Sequence, residues 1–179
     1  MVIEIIGTLI AVIVVTAVVY LIIPATFAIT RTITVHTPPA IVFEQVNDFH
    51  KWAAWSPWEN LDPTMQRSFS GPQAGPGAVY TWTGNKRVGE GTMTITDVNL
   101  PERIVIGLKF RRPFKANNTA TFTFKPQGNQ TFVTWTMTGN KNAVSKVMGL
   151  VMNMDKLVGS EFSKGLENLK RVSEAAARA

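Results

Sequence analysis

Ile5 to Ile23 is a run of nineteen residues without one charged side chain, closed by Pro24. At about 1.5 Å per residue, a helix of that length crosses the roughly 30 Å hydrocarbon core of a bilayer. Hydrocarbon leaves little choice of fold, because every amide must find its partner inside the segment. The polar side chains within the run are Thr8, Thr16 and Tyr20, and a threonine hydroxyl can bond back to a carbonyl one turn earlier. The sequence therefore predicts a single-pass membrane anchor and short tether over 1–28, followed by one domain over 29–179. A cleavable signal peptide competes with this reading, yet the only charged side chain before the run is Glu4, and the exit reads Pro24-Ala25-Thr26-Phe27-Ala28 rather than a small-residue cleavage site after a basic n-region. A buried core helix would carry a polar stripe, and this run has none. Arg31 is the one basic residue near the C-terminal end of the span, which leaves the membrane side unassigned. Five tether residues reach at most about 17 Å, so the domain is expected close to the headgroups.

The chain carries 18 Lys and Arg against 12 Asp and Glu, a net charge of +6, and such a surface favours anionic partners. There is no basic helix, zinc spacing or RNA-binding aromatic signature, so anionic lipid is expected and nucleic acid is not. The densest cluster is Lys109, Arg111, Arg112 and Lys115 around Pro113, a candidate headgroup site that also reads as a solvated strand end. With no cysteine, disulfides, thiol nucleophiles and zinc–thiolate sites are excluded. No fixed-period repeat or low-complexity tract divides the part after the anchor.

Ile29 to His36 alternates apolar or long side chains with Thr30, Thr32 and Thr34, the two-residue period of a strand. Thr37-Pro38-Pro39 supplies a cap and a first-turn proline, after which Ile41, Val42, Val46 and Phe49 recur at helical spacing. Three indoles follow at Trp52, Trp55 and Trp58. From Met65 to Gly139 the chain reads as an antiparallel meander. Its runs are Ala78–Thr83, a turn at Gly84-Asn85-Lys86, then Arg87–Asp97, Arg103–Arg111, Thr119–Lys125 and Thr131–Thr138. From about Ala143 to Ala176 the positions Val144, Val147, Met148, Val151, Met154, Val158, Phe162, Leu166 and Leu169 recur every three or four residues, the stripe of a long amphipathic helix. The expected class is α+β: two short helices after the first strand, then a curved antiparallel sheet wrapped around one long C-terminal helix, leaving room for a pocket between them.

The order of these elements, with Pro38-Pro39, Asn47-Asp48-Phe49, Trp52-Ala53-Ala54-Trp55-Ser56-Pro57-Trp58, Tyr80-Thr81-Trp82-Thr83-Gly84-Asn85, Gly89-Glu90-Gly91, Phe110-Arg111-Arg112-Pro113 and Gly165-Leu166-Glu167-Asn168-Leu169-Lys170, resembles the SRPBCC superfamily. Within it, the chain looks like the bacterial polyketide cyclase/dehydrase and lipid-transport group. The resemblance covers Ile29 to about Val172. It implies a START-type helix-grip fold with a hydrophobic cavity, and it implies no particular reaction.

The residues expected to line that cavity are Tyr80, Trp82, Phe110, Phe122, Phe124, Trp135, Met137, Met148, Val151, Phe162 and Leu166. Trp52, Trp55 and Trp58 are candidates for a lid. The segment Val147–Met154 is apolar on nearly every face, so Leu150 and Met152 are candidates for a gate that touches the bilayer; methionine adapts to ligands of variable shape. Neither His36 nor His50 sits in a pattern that marks a base, two histidines are too few for a metal cluster, and no cofactor is expected. Glu90, Asp155 and Glu161 form no paired set and read as solvated carboxylates. The function expected is membrane-tethered binding, or transport, of a hydrophobic small molecule such as a lipid or isoprenoid. The alternatives are a cyclase or dehydratase using a cavity carboxylate or histidine, and a module that docks another membrane protein.

Overall fold

Threonine and β-branched side chains dominate the central part of the chain, and they build one sheet. The computed structural model describes residues 6–7, 24–141 and 154–178. Its strands are β1 (Thr26–Val35), β2 (Gln66–Ser70), β3 (Val79–Thr83), β4 (Glu90–Asn99), β5 (Arg103–Arg112), β6 (Ala116–Gln127) and β7 (Gln130–Asn140). Between β1 and β2 lie helix α1 (Pro39–Asn47) and two 3₁₀ turns, Phe49–Ala54 and Pro57–Asn60; helix α2 (Met154–Ala176) ends the chain. The strands stand in the order β1-β7-β6-β5-β4-β3-β2, every neighbouring pair antiparallel. Only β1 leaves the simple meander, and it does so by pairing with the last strand.

Because side chains alternate across a strand, the register sorts the sheet into two faces. The outer face is threonine-rich, with hydroxyls bonded across strands at Thr30–Thr136 (3.0 Å) and Thr81–Thr92 (3.2 Å). The inner face carries Ile29, Tyr80, Met93, Ile95, Ile104, Ile106, Phe122, Phe124, Val133 and Trp135, all buried. Helix α2 lies along β1 and buries Phe162, Leu166 and Leu169 against this face, the stripe that the helical periodicity predicted. Pro39 opens α1, whose Val42, Phe43 and Val46 close the core from the other side.

The expected helix-grip α+β arrangement is therefore present, with differences at the ends of elements. Strand β1 begins at Thr26 rather than Ile29. The two short helices expected after β1 are in fact three, one α-helix followed by two short 3₁₀ helices, the second of which begins at Pro57. The strand expected from Arg87 starts at Glu90. The longer turn over 84–89 is held by Gly84 N–H donating to Gly89 O (2.9 Å), Gly89 N–H to Asn85 O (2.8 Å) and Asn85 N–H to Asp62 Oδ2 (2.7 Å). Strand β2, exposed throughout, has too little apolar patterning to stand out in the sequence. The first part of the long helix expected from Ala143 lies outside the described residues up to 153. Of the expected anchor only Ile6 and Gly7, both helical, are described, and the rest of the run lies outside. Among the described residues no helix is long and apolar enough to cross a membrane.

Candidate ligand-binding site

The inner face divides into two regions. Beneath α2 it is filled by rings. Trp135 stacks on Phe162 with centroids 3.9 Å apart and planes within 6°, and Phe122 stacks on Trp135 at 4.8 Å. Trp55 meets Phe122 edge-on at 6.1 Å, Trp52 lies 4.6 Å from Trp55, and Phe124 continues from Phe122 at 6.4 Å. Trp52 Nε1 donates to Val46 O (2.9 Å) and Trp55 Nε1 to Gln45 O (3.0 Å). These bonds fix both indoles inside, as buried Trp N–H groups require a partner. Trp58, half-buried, packs edge-on against Trp135 and Phe162. Five of the residues expected to line a cavity (Phe122, Phe124, Trp135, Phe162 and Leu166) thus pack on one another and on α1, as core does. Trp52 and Trp55 join them.

The second region runs across β3, β4 and β5 towards the edge of the sheet, with Met137 of β7 at its inner end. Tyr80 and Trp82 stack at 6.0 Å, and Phe110 stands edge-on to Trp82 at 5.7 Å. The indole of Trp82 lies across Gly91, where a Cβ would sit 2.5 Å from the ring and 2.8 Å from Lys109 O. Its Nε1 donates to Val88 O at 3.0 Å. Met93 and Met137, both buried, and Leu108 complete the region by register. Beside it the buried carboxylate of Glu59 is paired: Tyr80 donates to Glu59 Oε1 (2.7 Å) while Arg67 Nε donates to Glu59 Oε2 (2.6 Å). Burial, and then the carboxylate of Glu59, push the Tyr80 phenol well above its usual pKa, so it remains a donor. Among the described residues five buried side-chain polar atoms have no partner, Trp135 Nε1 and Asn118 Oδ1 of the inner face among them. Met148, Leu150, Val151 and Met152 lie outside the described residues.

The basic cluster is partly engaged. Glu90, read from sequence as solvated, accepts from Arg112 Nε (2.8 Å) and Arg111 Nη1 (3.3 Å), because the β4–β5 register sets it opposite Arg112. Lys109 and Lys115 are exposed. Asp155, also read as free, is paired with Arg31 of β1 at 3.0 Å, and Glu161 with Lys164 at 2.7 Å. His36 Nδ1 and its backbone N–H both reach Glu174 Oε1 at 2.9 Å. Among the described residues no group of three His, Asp or Glu could hold a metal ion.

Sequence reasoning missed a cleft of about 310 Å³ at the β2–β3 edge, lined by Phe49, His50, Phe69, Gln73 and Val79 among others. Asp48, placed as the cap of the first 3₁₀ turn, accepts from His50 Nδ1 at 2.8 Å at its rim. The signal available was Asp48 two residues before His50, a spacing that lets one carboxylate bond both the backbone and the ring.

A seven-stranded antiparallel sheet gripping a C-terminal helix, with an aromatic inner face, places the protein in the helix-grip class. The family described as "Polyketide cyclase / dehydrase and lipid transport" matches residues 26–174, and the chain belongs to that family. Solved structures agree on the fold. A Chromobacterium violaceum protein is 15% identical, with 84% of this chain and 98% of that chain covered at a TM-score of 0.59. The Aha1 dimer of Colwellia psychrerythraea is 17% identical (83% and 96% covered, TM-score 0.57), and a Thermobifida fusca protein 20% identical (82% and 92%, TM-score 0.60). No curated protein matches the chain in sequence.

Proposed function

We propose that the protein binds, and hands on, a hydrophobic small molecule such as a lipid or isoprenoid at a membrane to which the run Ile5–Ile23 tethers it. The observation that carries the reading is the second region of the inner face. Tyr80, Trp82, Phe110, Met93 and Met137 offer rings and adaptable thioethers, while its carboxylate, Glu59, is bonded by Tyr80 and Arg67. That is a lining for desolvating an apolar ligand. Burying such a ligand is worth roughly 25 cal/mol per Å² before binding costs. The family match points to the same ligand class. Met148 and Val151 would complete the lining, and Leu150 and Met152 would form the gate facing the bilayer. Lys109 and Lys115, together with Arg111 and Arg112, would meet anionic headgroups.

Native mass spectrometry of the full-length protein purified from its host membranes, followed by organic extraction, tests the reading. One lipid-class molecule per chain is expected. A protein that is empty and takes up no fluorescent acyl probe would overturn it. Replacing Leu150 and Met152 together by Lys should stop exchange with vesicles while the circular dichroism spectrum stays unchanged; undiminished exchange removes the gate from the proposal.

A further inference from the structure

The cleft at the β2–β3 edge lies at the margin of the inner face, where Phe69 and Phe49 stand 5.2 and 6.1 Å from Tyr80, and it is built differently. Its floor is apolar, with Phe49, Phe69, Ala78 and Val79. Its wall is the loop from Gly71 to Gly77, pinned by Gly75 N–H donating to Asn47 O (3.2 Å) and Gly77 N–H to Ile95 O (2.8 Å). Gly71 has φ +77°, and a Cβ there would collide with Gly77 O; the loop is preformed around glycine. Above the floor the His50 ring lies parallel to Phe69, centroids 4.1 Å apart and planes 24° apart.

The imidazole is held from behind. Asp48 is 7% exposed and accepts from His50 N (2.9 Å), His50 Nδ1 (2.8 Å) and Gln73 Nε2 (3.2 Å). Burial acts to raise the carboxyl, and these bonds outweigh it, so its pKa lies below the usual range. An ionised Asp48 accepts the Nδ1 proton, which leaves the lone pair of the neutral ring on Nε2. Nε2 has no hydrogen-bond partner among the described residues. His50 is the one titratable group in the lining of the cleft. Lys51 nearby is turned to Glu44 at 3.5 Å.

We propose that this cleft is a second binding site, for a small planar molecule bearing an acidic hydroxyl, a phenol or an enol, and that His50 takes the hydroxyl proton. The ligand O–H breaks, Nε2–H forms, and the electron pair stays on the ligand oxygen. The oxyanion then faces an imidazolium whose charge the buried Asp48 balances. Asp48 is a positioning residue, fixing the tautomer and the ring. The size follows from volume: a cavity of about 150 Å³ holds benzene, so 310 Å³ accommodates two fused rings. Phe49, Ala78 and Val79 supply the apolar floor, and the His50 ring, itself stacked on Phe69, the polar wall.

The test uses 7-hydroxycoumarin, whose neutral and anionic forms have separate excitation bands, added to the full-length protein in phospholipid nanodiscs, with empty nanodiscs as reference. The bound probe should show an anion-to-neutral ratio raised roughly tenfold over free probe at the same pH, the equivalent of about one pKa unit. His50→Phe keeps a ring over Phe69 without a base, and should bind the probe with the rise abolished. His50→Gln checks that result should the first variant misfold, and Asp48→Asn should give an intermediate ratio. A wild-type protein that fails to bind the probe, or a ratio that survives loss of the His50 ring nitrogens, overturns the proposal. An acyl ligand on the inner face should leave the signal untouched, and displacement by it would place the probe in the other site and overturn the assignment.

Discussion

Trp82 can lie flat across the sheet because Gly91 has no side chain. A Cβ at that position would meet the indole at 2.5 Å and Lys109 O at 2.8 Å, and the backbone atom cannot give way. Gly91→Ala should cost about 1–3 kcal/mol, the usual price of overpacking, in urea unfolding followed by tryptophan fluorescence, and should shift the emission of Trp82. Tyr80 is set by a different balance. Its hydroxyl is one of two donors to the buried carboxylate of Glu59, with Arg67 the other. Tyr80→Phe leaves one carboxylate oxygen without its tyrosine partner, and about 1–3 kcal/mol of stability should be lost. In a spectrophotometric pH titration the raised phenol of Tyr80 should ionise only with unfolding. Neither effect is readable from sequence: the aromatic character of both positions was, but the glycine and the carboxylate that fix them come from other strands and turns.

Three of the contacts that hold helix α2 each test a different force. At its centre Phe162 lies on Trp135 at 3.9 Å. Phe162→Ala should destabilise by about 3–5 kcal/mol, measured by chemical denaturation. Near its start Arg31 reaches both carboxylate oxygens of Asp155 at 3.0 Å, and near its end His36 holds Glu174. The hydrogen bond from Arg31 holds the Asp155 carboxyl below its usual range, and the backbone N–H of His36 does so for Glu174. A carboxyl depressed in the folded state stabilises fully above its unfolded pKa of about 4, and that contribution is lost as pH falls through the folded value. Between about pH 5 and 2, amide protection factors, which are corrected for the intrinsic pH dependence of exchange, should therefore fall at both ends of α2 before the sheet opens, and Arg31→Met should remove that fall at the first end only. The heptad-like stripe announced this helix and its buried face. The two ionic anchors were invisible, because their partners lie 124 and 138 residues away.

For the molecule as a whole, charge and binding face should be separable. If Lys109 and Lys115 meet anionic headgroups, replacing both by Glu should weaken association of the protein with anionic vesicles by about 1 kcal/mol per residue, an effect that added salt removes. Ligand content by mass spectrometry should not change. The sequence by itself determined the strand order along the chain, the long apolar-striped helix and the aromatic character of the inner face, because these rest on local periodicity and on turn residues that act within a few positions. The tertiary structure alone decided which of the buried aromatics form the filled layer beneath α2 and which stand on β3 towards the sheet edge. Phe122, Trp135 and Phe162 are as aromatic as Tyr80 and Trp82, and only the register of β1, β6 and β7 beneath α2 stacks the first three into a filled layer. It also decided that His50 meets Asp48 over Phe69 at a cleft, since a free lone pair is a property of what surrounds a residue in space.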